Sequence, residues 1–142
     1  MKTLILPLLL TALLVPTLAR DQSVRISGRF MCHGQPEQFA ELKLVNWRAL
    51  SSNVEMDKDK FTDPSGFFEI SGSVNQKFDA NPWIYVWHKC YEKPFENTDP
   101  CWRHLQIQVP KVHVQEGVLP DRTWNLGEIP LELAQHKSDS CP

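Results

Sequence analysis

The chain has 142 residues, and its 15 Lys and Arg stand against 17 Asp and Glu, giving a net charge of −2 with both signs mixed along the length. That is about one domain of chain. The lack of a concentrated basic stripe excludes the usual footprint of a nucleic-acid-binding protein.

The first element is an apolar run, Leu4 to Val15, interrupted by Pro7 and Thr11 and preceded by Lys2. It ends at Pro16 and the small-residue pattern Thr17-Leu18-Ala19, before the charged pair Arg20-Asp21. This is the layout of a secretory signal peptide, and it predicts a leader over residues 1–19 and one domain over residues 20–142. The run falls short of the roughly 20 apolar residues that a bilayer requires, and no later stretch is more apolar. The product is therefore expected to be secreted, extracellular and not membrane-spanning.

After the leader, period-two alternation recurs between turn clusters, and no 3.6-residue apolar period stands out. Val24, Ile26, Gly28, Phe30 and Cys32 alternate with polar or intervening residues as a half-buried strand, which His33-Gly34-Gln35-Pro36 breaks. Ala40, Leu42 and Leu44 mark a second strand, and Arg48 to Asn53 reads as polar loop. Met56 to Thr62 and Phe67 to Ser71 flank Asp63-Pro64-Ser65-Gly66. The turn chemistry of Asp, Pro and Gly there predicts a β-hairpin.

Gly72 to Asn81 reads as a connection, Trp83 to Cys90 as the strongest strand, and Cys101 to Val109 as the next, with Tyr91 to Pro100 between them. Pro110 to Asp121 is a further link. Trp124 to Leu133 changes parity at Gly127-Glu128, which predicts a β-bulge, and the polar tail from Ala134 is expected to be tethered only by Cys141. About seven short strands with frequent turns indicate an all-β, disulfide-stabilised β-sandwich.

Four cysteines in a secreted chain read as two disulfides, and the spacings fit no structural zinc site. Three pairings are available to Cys32, Cys90, Cys101 and Cys141. The short span between Cys90 and Cys101 favours that pair, leaving Cys32 with Cys141. If Cys90 and Cys101 face each other across an antiparallel pair, Val86 falls opposite Leu105 and Ile84 opposite Ile107. Those apolar matches support the register independently. The same register sets His88 against Arg103 and His104 against Trp87.

Several segments together resemble the nematode transthyretin-like family. They are Gly28-Arg29-Phe30-Met31-Cys32-His33-Gly34-Gln35-Pro36, Thr62-Asp63-Pro64-Ser65-Gly66-Phe67-Phe68 running into Ile70-Ser71-Gly72-Ser73, His88-Lys89-Cys90, Cys101-Trp102-Arg103, Val109-Pro110, and Leu126-Gly127-Glu128-Ile129-Pro130-Leu131. The resemblance implies a transthyretin-like (prealbumin-like) sandwich, export from the cell and no established enzymatic activity. Trp47, Trp83 and Trp87 make this copy richer in tryptophan than the family pattern.

Catalytic signals are thin. Hydroxyisourate hydrolase, transthyretin's enzymatic cousin, ends in Tyr-Arg-Gly-Ser, whereas this chain ends Ser138-Asp139-Ser140-Cys141-Pro142. No G-x-S-x-G elbow occurs. Glu55, Asp57, Asp59 and Asp63 gather oxygen ligands, but Phe61 and Thr62 stand where an EF-hand loop needs an oxygen ligand and glycine. A solvated acidic strand interleaved with Lys58 and Lys60 is the better reading. The scattered histidines predict no tight metal site and no cofactor.

The most informative feature is an aromatic ladder. Trp83, Tyr85 and Trp87 fall on one strand face, with Trp102 and His104 on the same face of the neighbour. Ile84, Val86, Leu105 and Ile107 fill the other face. Either a loop or the tail covers the ladder within the monomer, or the ladder is exposed to an extracellular ligand, a cell-surface protein or a second copy in a homodimer. The sequence thus predicts a binding or adaptor protein working through a sandwich face or loops. The alternative is a carrier of a small apolar ligand or a recogniser of lipid head groups.

Overall fold

The structure, a computed structural model, describes residues 18–91 and 101–140, and for residues 138–140 the backbone alone. Residues 1–17 of the expected leader, the segment 92–100 and residues 141–142 lie outside the described residues. Ten strands follow one another among the described residues: β1 Arg20–Cys32, β2 Gln35–Pro36, β3 Glu41–Asn46, β4 Val54–Phe61, β5 Phe67–Gln76, β6 Pro82–His88, β7 Trp102–Gln108, β8 Gln115–Glu116, β9 Trp124–Pro130 and β10 Ser138–Ser140. They form two five-stranded sheets stacked as a sandwich. In one, β1 is bordered by β2, β5, β8 and β9; the other runs β10-β7-β6-β3-β4. Only β1 and β9 pair in parallel among these strands.

Alternation decides which face of each strand turns inward. Val24, Ile26 and Phe30 of β1 and Phe68 and Ile70 of β5 meet Leu42 and Leu44 of β3, Ile84 and Val86 of β6, and Leu105 of β7. Phe30 and Phe68 stack with centroids 4.7 Å apart. β5 also approaches β4 closely: a Cβ on Gly72 would stand 2.7 Å from the Met56 carbonyl oxygen, so only glycine fits.

Two buried polar side chains of the core margin, Gln22 and Asn46, are hydrogen-bonded, as burial demands. Gln22 accepts the Ala80 N–H at 2.7 Å and donates to the Phe78 carbonyl at 2.9 Å. Asn46 accepts the Asn81 N–H and donates to the Gln76 side chain, both at 2.8 Å. Together they pin the β5–β6 connection to the sandwich end.

The expected register between β6 and β7 is the one observed: Ile84 faces Ile107, Val86 faces Leu105, His88 faces Arg103 and Trp87 faces His104. The bulge is also present, with Gly127 at φ 72° and a register shift opposite Ser27 and Arg29.

Four expectations are corrected. The disulfide is Cys32–Cys90, with Cα atoms 5.7 Å apart, and not Cys90–Cys101. The β6–β7 ladder ends at His88 and Arg103, because the Cys90 N–H turns back to His88 Nδ1 at 2.9 Å. Cys90 thus leaves the sheet before it could face Cys101, and reaches the end of β1 instead. The same bridge excludes Cys32–Cys141; Cys101 is itself disulfide-bonded, and Cys141 lies outside the described residues.

The Asp63–Gly66 turn does not join a hairpin. β4 pairs with β3 and β5 pairs with β1, so the turn carries the chain from one sheet to the other. Thr62 fixes one side of this corner, accepting the Ala40 N–H at 2.9 Å and donating to the Glu37 carbonyl at 2.7 Å. The Gly66 carbonyl fixes the other, accepting the Phe30 N–H at 2.9 Å. The stretch from Gly72 is strand as far as Gln76, with only 77–81 as connection. The tail is held by more than a cysteine, since β10 pairs with β7.

Three outcomes follow. Thr62→Val, which strips the buried Ala40 N–H of its acceptor, is expected to lower stability by about 1–3 kcal/mol in urea denaturation. Removing the bridge in C32A/C90A releases a loop spanning 58 residues and is expected to cost about 4 kcal/mol by loop entropy. Non-reducing peptide mapping is expected to recover Cys32 with Cys90 and Cys101 with Cys141.

Candidate functional site

β6 lies between β3 and β7, so its burial pattern is a strict alternation. Pro82, Ile84, Val86 and His88 are buried, while Trp83, Tyr85 and Trp87 are half-buried on the outer face. β7 adds Trp102, which is 39% exposed, and half-buried His104 and Gln106. β3 adds Glu41 opposite Trp87 and Lys43 opposite Tyr85. All five sequence-predicted ladder residues, Trp83, Tyr85, Trp87, Trp102 and His104, therefore stand on one sheet face.

The rings pack on one another. Trp87 and His104 stack with centroids 4.6 Å apart, and Tyr85 meets both edge-on at 6.3 and 5.5 Å. Lys89 sits over the Trp102 ring at 4.8 Å. The indole Nε1 of Trp83 is buried with no acceptor among the described residues, a donor without a protein partner.

His104 is held neutral by its contacts. Its Nδ1–H donates to the Val86 carbonyl, and its Nε2 accepts the Gln106 amide, both at 3.1 Å. Burial pushes its pKa below the usual 6.5, with Lys137 adding to the effect and the Val86 hydrogen bond opposing it.

The remaining histidines do not converge on this face. His88 is fully buried; its Nδ1 accepts the Cys90 N–H, so its Nε2–H donates to His136 Nε2 at 2.7 Å. His113 stacks on Trp124 at 4.8 Å. His33 lies beside Cys32 and Cys90, the one group of three metal-type ligands among the described residues, and two of its members are cross-linked. The acidic strand is ion-paired: Lys43 with Glu55 at 2.7 Å, and Lys60 with Asp57 at 3.9 Å. Asp63 accepts the Ser65 and Phe67 N–H groups of its own turn.

A second feature escaped the sequence. At the sandwich end, the β3–β4 and β5–β6 connections enclose an open groove of about 450 Å³. Trp47, Leu50 and Phe78 line it and are 47%, 99% and 75% exposed. Asp79 at its edge is clamped by Lys111 and Arg20, and Lys111 foremost holds its carboxyl below the usual carboxylate range. The signal was available: Trp47, Leu50 and Phe78 are large apolar residues in segments without strand alternation.

Fold and site define a disulfide-tied, all-β sandwich with an aromatic outer face. The model described as TTR-52, transthyretin-like family, matches residues 27–110. Transthyretin-like protein 1 of Caenorhabditis elegans is 30% identical over 126 residues, covering 84% of this chain and 77% of its own. Transthyretin-like protein 2 of the same organism is 30% identical over 120 residues, covering 80% and 78%. The chain belongs to the transthyretin-like family.

His104 gives a signed pH dependence. Because its folded pKa lies below 6.5, the unfolded chain takes up a proton first as pH falls, so this contribution is complete above about pH 6.5 and is lost below it. Urea midpoints are expected to fall between about pH 7.5 and 5.5, and His104→Gln is expected to flatten that fall.

Proposed function

We propose that this transthyretin-like protein is exported and acts outside the cell as a non-catalytic binding or adaptor protein, recognising a partner protein through the aromatic face of β6 and β7. The observation carrying this reading is that the ladder forms an outer sheet face and not the wall of a closed cavity. Ile84, Val86 and Leu105 already fill the core side. Aromatic anchors with polar neighbours are the composition of binding hot spots, and Glu41, Lys43 and Gln106 border the rings on the same face. Export rests on the leader pattern in residues 1–19. The dispersal of the histidines, and the absence of a nucleophile–base pair at the ladder, support a role without catalysis.

The groove lined by Trp47, Leu50 and Phe78 favours a second reading, a carrier of a small apolar ligand or a recogniser of lipid head groups. Its volume is in the range of small-molecule sites.

Two variants separate these readings. In W83S/W87S/W102S, each half-buried or exposed ring is expected to cost less than the about 3–5 kcal/mol of a fully buried aromatic. The variant is expected to be secreted and folded but to lose the partner that wild type recovers from extracellular fluid, while L50S/F78S keeps it. Loss in the groove variant alone would favour the second reading. A change from dimer to monomer in light scattering would identify the partner as a second copy.

A further inference from the structure

We infer that Cys32–Cys90 is a thiol–disulfide exchange site, with Cys32 as the sulfur attacked and His33 as the residue that assists departure of Cys90. The inference rests on what surrounds the bond. Cys32 is half-buried at the end of β1, whereas Cys90 is 1% exposed, so the Cys32 side of the bridge is the more open to an incoming thiol. Access of this kind selects the attacked atom in exchange reactions.

His33 is exposed and begins the tight turn after β1, with φ 48° followed by Gly34 at φ 76°. This left-handed start brings the ring back over the bridge. One ring nitrogen and the two sulfurs all lie within 4.8 Å of one another. Its Nε2–H donates to the Tyr91 carbonyl at 2.5 Å, which fixes the ring there and keeps that nitrogen protonated. Arg103 donates to the Cys90 carbonyl at 3.1 Å, which holds the Cys90 backbone in place. A thiolate forming in such surroundings is stabilised.

The step is redox-neutral. A thiolate of the low-molecular-weight class attacks Cys32 Sγ and forms a new S–S bond. The electron pair of the old bond leaves on Cys90 Sγ, which takes up a solvent proton passed on by the His33 ring. The product is a mixed disulfide on Cys32 and a buried Cys90 thiol, and the covalent tie between the sheets is open.

The probe is reduced glutathione added to the folded, oxidised protein near neutral pH. Intact mass and peptide mapping follow the adducts, and near-UV circular dichroism follows the fold. The expected result is one glutathione per chain, on Cys32, formed while the tertiary signal persists and the Cys101 disulfide is intact. His33→Asn keeps a residue type that tolerates positive φ and is expected to slow the reaction by about tenfold or more. Free imidazole is expected to restore part of the rate, which a merely structural role would not allow. No adduct in the folded protein, a first adduct at Cys101, or an H33N rate equal to wild type would each overturn the inference.

Discussion

A central strand with the core on one side has its outer face chosen for it. β6 is hydrogen-bonded along both edges, to β3 and to β7, so it cannot slip or rotate without losing two ladders. Ile84, Val86 and His88 occupy its inner face completely. Trp83, Tyr85 and Trp87 must then stand outside, where their area is only partly removed from water. The rings recover some burial by packing laterally, and His104 adds a flat, neutral ring that stacks on Trp87 and meets Tyr85 edge-on. Its two ring nitrogens are both committed, so adding a proton would break the Gln106 contact and set a cation into a half-buried stack. Register, aromatic exposure and the pH sensitivity of the face share this one cause.

The rest of the sandwich is organised to hold that sheet against β1, which runs thirteen residues and touches four other strands. Three ties join the two layers. The Asp63–Gly66 corner passes the chain between sheets, the close contact of Gly72 with Met56 shuts one side, and the Cys32–Cys90 bridge joins the far end of β1 to the exit of β6. The aromatic face and the groove lie on different parts of this frame. The groove depends on Gln22 and Asn46, whose hydrogen bonds fix the connection bearing Phe78.

The parts of this arrangement legible in the sequence were those written in side-chain alternation. The β6–β7 register could be read because Val86–Leu105 and Ile84–Ile107 match across it, and it stood even though the disulfide that suggested it did not. Connectivity of the cysteines depends on where a ladder stops, and here a single hydrogen bond from Cys90 to His88 decides that. The Asp-Pro-Ser-Gly turn has the same local chemistry in a hairpin and in a corner; only the pairing of β4 and β5 with different strands distinguishes them. The second half of β5 and all of β10 were hidden because Ser71 to Gln76 and Ser138 to Ser140 carry few apolar residues. The groove was overlooked because its apolar residues are spread over two loops with no periodicity to connect them.

The central claim is that the aromatic face is uncovered in the folded monomer. Hydroxyl-radical footprinting of the native protein tests it most directly, with modification at each aromatic residue read by mass spectrometry. Trp47, 47% exposed, and the fully buried Phe30 provide the internal limits. The account predicts that Trp102 is modified nearly as fast as Trp47, and that Trp83, Tyr85 and Trp87 fall between the limits. Protection of all four to the level of Phe30 would mean that another part of the chain covers the ladder, and would contradict the account.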